Sequence, residues 1–326
     1  MTGSVGVVGG GAWGTALALV AARAGGRVTL WARDGDTVAA INQRRENPRY
    51  LPGIAIEGAI EATADIAAAA AEVVVLAVPA QMVRQVAAMV ASHVAPGTRL
   101  VISAKGLERT TGKRLSEVVA EVAPAAVAAV LSGPSFAVDV ARGLPTAVTI
   151  AAGDGPVALD LCHRFWSQSF RPYAETDVIG VEIGGAVKNV LAIAAGIVSG
   201  RKLGASAVAA LIARGFAELR RLAVALGAQP QTLMGLSGLG DLVLTCSGPQ
   251  SRNFSYGAML GSGGDPSARH ELAEGIATAA VARDLARRHA VAMPIVEAVA
   301  AIVDGGLTVE AAIEGLMARP LKPEAG

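Results

Sequence analysis

Lysine is scarce in this chain, and two of its five lysines sit where an ammonium can do chemistry. Lys188 falls in the apolar stretch GVEIGGAVKNVLAIAAGI. On a helical wheel it shares one face with Val181, Gly184, Gly185, Ala192, Ala195 and Ser199, while Ile183, Val187, Val190, Leu191, Ala194 and Ile197 make the opposite, packing face. The small side chains leave room for something to lie against the helix. An ammonium withdrawn from water has a lowered pKa and can give or take a proton near neutrality. The same lysine could instead be neutralised by Glu182 or reach water along its own stem; the residues alone leave both open. Lys105 follows the apolar run LVISA, which places it at the carboxyl end of a strand, the edge at which open parallel sheets bind ligands.

A third charge lies in GLSGLGDLVLTCSGPQSRNFSYG. Asp241 ends a glycine-rich turn and runs into Leu242–Leu244, so it is expected to be shielded from solvent. Thr245, Ser247 and Ser251 add hydroxyls, and Arg252 and Asn253 add a fork and an amide. If Ser251 caps a short helix, the free amides there and Arg252 together make a phosphate site. A polar loop explains the hydroxyls equally well, but not an aspartate embedded among glycines and leucines.

Near the start, Gly9-Gly10-Gly11-Ala12-Trp13-Gly14 fits the pattern G-x-G-x-x-G. Gly9, Gly11 and Gly14 would allow a tight turn, close approach of backbone to a pyrophosphate, and packing of helix on strand. Arg33 then stands at the end of the second strand, where an acidic residue usually holds a ribose. A guanidinium there suits a 2′-phosphate, which predicts NADP(H) as the preferred cofactor with NAD(H) possible. Asp34, next to it, could still serve the ribose.

These groups need a scaffold, and the apolar pattern supplies one. Runs at Ser4–Val8, Val28–Trp31, Val73–Val78, Leu100–Ser103, Val127–Leu131 and Ala147–Ala151 alternate with helical stretches at Trp13–Ala24, Gln81–Ser92 and Thr111–Val122. That alternation implies an α/β domain, a Rossmann-like doubly wound parallel sheet. From Val178 onward only helical patterns appear: Gly180–Ser199, Ala205–Leu226, Ile276–Arg288 and Ile295–Asp304, with glycine-rich loops at Gly235–Asp241 and Gly261–Asp265. The expected division is a dinucleotide-binding domain over residues 1–178 and an all-helical substrate-binding and catalytic domain over 179–326.

Composition narrows the class of protein. The 326 residues are 52% hydrophobic but only 3% aromatic, and the net charge of +1 comes without a basic run, which argues against a nucleic-acid partner. The longest uncharged run, Val122–Val138, is short and broken by prolines, so no integral membrane segment is expected. Cys162 and Cys246 have no metal-ligand or redox-pair spacing, so no metal is expected; the two could form one disulfide, but reduced thiols in a cytoplasmic protein are the expectation. The apolar helical half suits a homodimer.

Taken in order, GGGAWGTALA, LPG at 51–53, AVPAQ, ISAKGLE, LSGPSFA, GVEIGGAVKNVLAIAAGI, GLSGLGDLVLTCSGPQSRNFSYG and LAEGIATA resemble the bacterial type of NAD(P)-dependent glycerol-3-phosphate dehydrogenase over nearly the whole chain. The later segments are far more specific than the glycine pattern. The resemblance implies interconversion of dihydroxyacetone phosphate and sn-glycerol 3-phosphate, with the product feeding phospholipid synthesis. It implies cofactor contacts at Ala12, Trp13, Arg33, Lys105, Ala137, Arg252, Leu272 and Glu274. Substrate contacts would come from Lys105, Gly133, Ser135, Lys188, Asn189, Asp241, Ser251, Arg252 and Asn253. Lys188 would be the acid or base, Asp241 would orient it, and Lys105 would stabilise charge where cofactor and substrate meet. Ala12 stands where relatives often carry serine, Leu272 replaces a common valine, and Asp34 is atypical. A β-hydroxyacid dehydrogenase shares the two-part layout, but the SRN segment argues against it. A non-catalytic NADP(H) sensor would have no need of Lys188 beside Asp241.

Overall fold

In the computed structural model, residues 3–265 and 273–321 are described; Leu272 and Lys322 lie outside them. The chain runs β1 (Ser4–Val8), α1 (Ala12–Arg23), β2 (Arg27–Trp31), α2 (Gly35–Ala39), a short hairpin of β3 (Glu46–Asn47) and β4 (Leu51–Ala55), and β5 (Ile60–Thr63). It continues through β6 (Val73–Leu76), α3 (Val83–Ala91), β7 (Arg99–Ile102), α4 (Leu115–Val122), β8 (Val127–Ser132), α5 (Ala137–Ala141), β9 (Thr146–Ala152), α6 (Gly155–Phe165) and β10 (Phe170–Glu175). Eight of these strands form one sheet in the order β10-β9-β8-β7-β6-β1-β2-β5. Val73–Leu76 is wholly buried, as a strand covered on both faces must be.

The chain leaves β1 toward β2 on one side and returns to β6 on the other, so the order reverses at β1. Such a reversal opens a crevice beyond the carboxyl ends of the two strands. The turns Gly9–Gly14, Ala77–Ala80, Ser103–Gly106 and Gly133–Ser135 all leave strands at that edge.

One departure from the expected parallel order lies at β9, which pairs antiparallel with β8. The connection between them holds only the five-residue α5. That is too short a crossover to carry the chain back across the sheet face, whereas the 11-residue α6 does bring β10 parallel to β9. The helix expected from Thr111 begins instead at Leu115. Gly112, at φ +74°, and the antiparallel bridge between Leu107 and Arg114 fold residues 107–114 into a tight loop.

Beyond β10 the described residues are helical: α7 (Val178–Gly200), α8 (Ala205–Ala225), α9 (Pro230–Met234), α10 (Asp241–Cys246), α11 (Arg252–Gly261), α12 (Glu274–Arg288), α13 (Pro294–Val303) and α14 (Val309–Met317). Asp177 starts α7 by accepting from the Gly180 amide at 2.8 Å. From Gly180 to Val198 every residue of α7 is buried. It is the one described helix long and apolar enough to cross a membrane, and it is the core helix of its half of the chain.

What packs on α7 is backbone. A Cβ on Gly196 would meet the Phe254 carbonyl oxygen at 2.0 Å, and one on Gly257 would meet that of Ile193 at 2.0 Å. Gly200 and Gly261 repeat the contact one turn on. Glycines at four-residue spacing on both helices thus let α7 and α11 touch along their main chains. The room expected beside the small side chains of α7 is filled in the same way, because Gly184 lies against Ser237 and Gly185 against Ser132. Protein, rather than a ligand, occupies that side up to Lys188.

Candidate active site

Lys188, Lys105 and Asp241 come together although 53 and 136 residues separate the lysines from the aspartate. Lys188 Nζ donates to Asp241 Oδ1 at 2.7 Å, and Lys105 Nζ donates to Asp241 Oδ2 at 2.7 Å. One carboxylate therefore bridges two ammoniums. Lys188 also donates to Thr245 Oγ1 at 2.6 Å, and Lys105 to the Gly133 carbonyl at 2.8 Å. Each ammonium has two of its three N–H bonds committed among the described residues, leaving a third for a ligand.

Three local features build this cluster. The segment Gly235–Asp241, expected as a loop, is helical: a π-turn over Leu236–Gly240 leads directly into α10. Gly240 donates to the Gly235 carbonyl at 3.1 Å, and a Cβ on Gly238 would strike the Leu233 carbonyl oxygen at 2.0 Å. The wide turn carries Asp241 inward. Asp241 and Thr245 then lie one helical turn apart, and the Thr245 hydroxyl donates back to the Asp241 carbonyl at 2.6 Å. On the sheet side, Gly133 holds φ +131°, which turns its carbonyl toward Lys105. Gly184 and Gly185 let both pieces approach α7.

Burial sets the charges. Lys188 is only 5% exposed and Asp241 1%. Burial lowers the Lys188 pKa to about 8, against the opposing pull of Asp241 and with a further push from Lys105. Burial alone would raise the Asp241 carboxyl, but the two ammoniums outweigh it and hold that group below its ordinary value. Cys246, beside this cluster, is pushed up to about 12 by burial and stays a thiol. Glu182, the other candidate partner of Lys188, points elsewhere. It accepts from the Ser116 amide at 2.8 Å and from Arg114 at 3.1 Å, tying α7 to the start of α4.

Asn189 and Asn253 continue the site away from the lysines. Asn189 Nδ2 donates to the Lys105 carbonyl at 2.9 Å, Asn253 Nδ2 donates to Asn189 Oδ1 at 3.0 Å, and Asn253 Oδ1 accepts from the Gly275 amide at 2.9 Å. This amide chain links the Lys105 turn to the first turns of α11 and α12. Ser251 is the N-cap of α11, its Oγ accepting from the Phe254 amide at 3.2 Å. Arg252 opens that helix on the exposed side. Glu274, at the start of α12, accepts from the Ala80 amide at 3.1 Å. Burial raises its pKa, opposed by Ala80 and by the charge of Arg252. Ser135 donates to the Gly133 carbonyl at 2.9 Å.

The crevice fits a dinucleotide. A Cβ on Gly9 would meet the Ala77 carbonyl oxygen at 2.3 Å and one on Gly14 the Gly9 carbonyl oxygen at 1.8 Å, whereas one on Gly11 would meet nothing within 4 Å. Two glycines are thus required by the protein, and the third leaves an open cradle at the amino end of α1. Ala12 and Trp13 form the first turn of that helix, and Ala137 begins α5, which packs against it. Arg33 is exposed just past β2. Asn47 is a residue that sequence reasoning missed. Its buried amide donates to the Gly10 carbonyl at 2.9 Å and to Thr15 Oγ1 at 2.8 Å, bracing the glycine turn from the β3–β4 hairpin. Thr245 was only one hydroxyl among several until α10 placed it one turn from Asp241. Leu272 lies outside the described residues.

Residues 4–158 match the family model of the NAD-dependent glycerol-3-phosphate dehydrogenase N-terminus, and residues 177–314 match that of its C-terminus. The chain belongs to the NAD-dependent glycerol-3-phosphate dehydrogenases. It is therefore an oxidoreductase that works with NAD or NADP. A glycerol-3-phosphate dehydrogenase (NAD(P)+) of Bradyrhizobium sp. strain BTAi1 is 60% identical over 98% of each chain. One from Mesorhizobium japonicum is 58% identical over 98% of this chain and 93% of its own. The crystal structure of glycerol-3-phosphate dehydrogenase from Coxiella burnetii, at 40% identity, superposes with a TM-score of 0.91 over 97% of this chain and 99% of that one.

Proposed function

We propose that this chain interconverts dihydroxyacetone phosphate and sn-glycerol 3-phosphate, with Lys188 as the proton donor in reduction and acceptor in oxidation. The observation that carries the assignment of roles is the Asp241 carboxylate shared by two ammoniums, that of Lys188 buried and that of Lys105 partly buried. Two positive charges on one negative leave the cluster a net cation, suited to an oxygen that gains charge when a ketone is reduced. The bound nicotinamide supplies or takes the hydride. Lys188, with its pKa near 8, exchanges the proton at the carbonyl oxygen. Lys105 stays paired to Asp241 and Gly133 and offers its remaining N–H to the same oxygen. The first turn of α11, with Ser251, Arg252 and Asn253, receives the substrate phosphate, as a capped helix start beside an arginine can.

On this reading residues 1–178 hold the cofactor through Gly9, Gly11, Ala12, Trp13, Gly14, Arg33, Lys105 and Ala137, and Arg252 and Glu274 reach it from the helical half. Residues 179–326 provide the substrate and proton-transfer groups. NADP(H) is preferred because Arg33 stands free of any ion pair among the described residues at the end of β2. The product serves phospholipid synthesis. The buried, unpaired Cys162 and Cys246 fit a cytoplasmic location. The exposed Leu203, Met234 and Val243 on the helical half fit a homodimer.

The direct test follows nucleotide absorbance with purified protein, dihydroxyacetone phosphate, and NADPH or NADH in parallel. Oxidation of both nucleotides, faster at low concentration with NADPH, is expected. Turnover of small non-phosphorylated oxo acids in place of the triose phosphate would overturn the substrate assignment.

A further inference from the structure

Asp34 is the residue at odds with a site for a 2′-phosphate. It follows Arg33 directly and is ionised at neutral pH, so it would both repel a phosphate and offer itself to a plain ribose. Its surroundings resolve the conflict. Asp34 Oδ2 accepts from Thr37 Oγ1 at 2.7 Å and pairs with Arg49 Nη1 at 3.4 Å. Arg49 comes from the turn between β3 and β4, and its guanidinium stands 5.2 Å from the centre of the Tyr50 ring. Contact with an aromatic face and with a carboxylate holds the guanidinium at the end of β2 instead of leaving it to sweep through solvent. Arg49 is nonetheless 65% exposed, so its remaining N–H groups face outward.

We infer that Arg49 is a specificity-determining residue for NADP over NAD: it neutralises Asp34 and, with Arg33, completes a two-guanidinium receptor for the 2′-phosphate. The inference rests on the NADP preference proposed above. Arg33 and Asp34 alone sum to no net charge; Arg49 adds a second guanidinium there, paired to Asp34, with Asp36 two residues further on in the first turn of α2. Asp34, with one oxygen shared between Thr37 and Arg49, is a weakened acceptor for ribose hydroxyls. The hairpin that carries Arg49 is itself fixed to the glycine turn through Asn47, so adenosine and pyrophosphate ends of the crevice are set by one piece of chain.

The test is binding, without substrate or turnover. Dissociation constants for NADPH and NADH are measured by fluorescence titration for the parent protein and for Arg49→Ala, Arg33→Ala, Asp34→Asn and the double variant Asp34→Asn with Arg49→Ala. Arg49→Ala should weaken NADPH about tenfold, the size of a lost charge-assisted hydrogen bond, and NADH less than about twofold. Removing the Asp34 charge as well should restore part of the NADPH affinity, since nothing is left to neutralise. Equal loss for both nucleotides, or no loss for either, overturns the role of Arg49. If Arg33→Ala shifts the ratio and Arg49→Ala does not, only this inference fails. If neither shifts it, the NADP preference fails with it. Both arginines are on the surface, so their replacement does not put folding at stake.

Discussion

Lys105, Asp241 and Lys188 are drawn from both halves of the chain, Asp241 and Lys188 buried and Lys105 partly so, whereas Arg33, Asp34 and Arg49 come from one short stretch, the arginines exposed and Asp34 half-buried. The buried group holds two cations on one carboxylate; the exposed group holds Arg49 on Asp34, with Arg33 next to it in sequence. In the buried group the distances are 2.7 Å, with a lysine pKa moved to about 8. In the exposed group the pair is at 3.4 Å, and water and salt screen it. A cation paired to a carboxylate therefore behaves differently in the two places. Buried, the pair comes with a lysine pKa moved toward neutrality; exposed, its proposed role is to select among ligands by their charge.

Breaking the buried cluster should have the largest effect. Lys188→Ala is expected to lower kcat about a thousandfold, the usual weight of a general acid, while the dissociation constant for NADPH stays within about twofold. Steady-state rates and a fluorescence titration on the same preparation decide it. A variant that keeps most of its turnover would remove Lys188 from the chemistry and leave Lys105 as the ammonium that matters. Loss of nucleotide binding would mean that the two groups are less separate than the geometry makes them.

How much of this was legible in the sequence depends on the range of the contact. Six of the eight sheet strands and their crevice followed from apolar runs and glycine spacing, since both act locally; the edge strands β5 and β10 were not among those runs, because their residues mix exposed and buried positions. The antiparallel β9 was missed because direction in a sheet depends on whether α5 is long enough to cross it, and a short helix leaves little trace in composition. The π-turn at Leu236–Gly240 was missed because glycines signal a break, although here Gly238 is what permits close helical packing. Lys188 and Asp241 could be singled out as a charge in apolar company, which is a property of neighbours in sequence. That Lys105 shares the same carboxylate could not, because that contact exists only once Gly185 lets the end of β8 reach α7. The room beside the small residues of α7 was legible, but not what fills it: small residues mark close approach, and here protein is what approaches.

The second prediction concerns pH. A lysine with a pKa near 8 is an ammonium at neutrality, so ketone reduction, which needs the proton, should be level below that value and fall about tenfold per unit above it. Alcohol oxidation, which needs the free amine, should rise over the same range. Profiles of kcat in both directions, crossing near pH 8, would sharpen the assignment. Parallel profiles would break it, because a merely structural pair loses activity in both directions together.

The smallest effect belongs to the exposed cluster, and it separates the two regions most directly. Screening acts over about 30 Å at 0.01 M salt and about 3 Å at 1 M, so attraction between surface guanidiniums and a 2′-phosphate should fade across that range. The dissociation constant for NADPH is expected to rise several-fold more than that for NADH, and in Arg49→Ala the difference should shrink. The pH midpoint for Lys188 should move by less than about half a unit over the same range, because its partners are 2.7 Å and 2.6 Å away with no bulk water between. Titrations of both nucleotides and kcat profiles at the two salt concentrations test this. If the midpoint shifts as strongly as NADPH binding does, solvent reaches the buried lysine, and burial is no longer the reason its proton is available near neutrality.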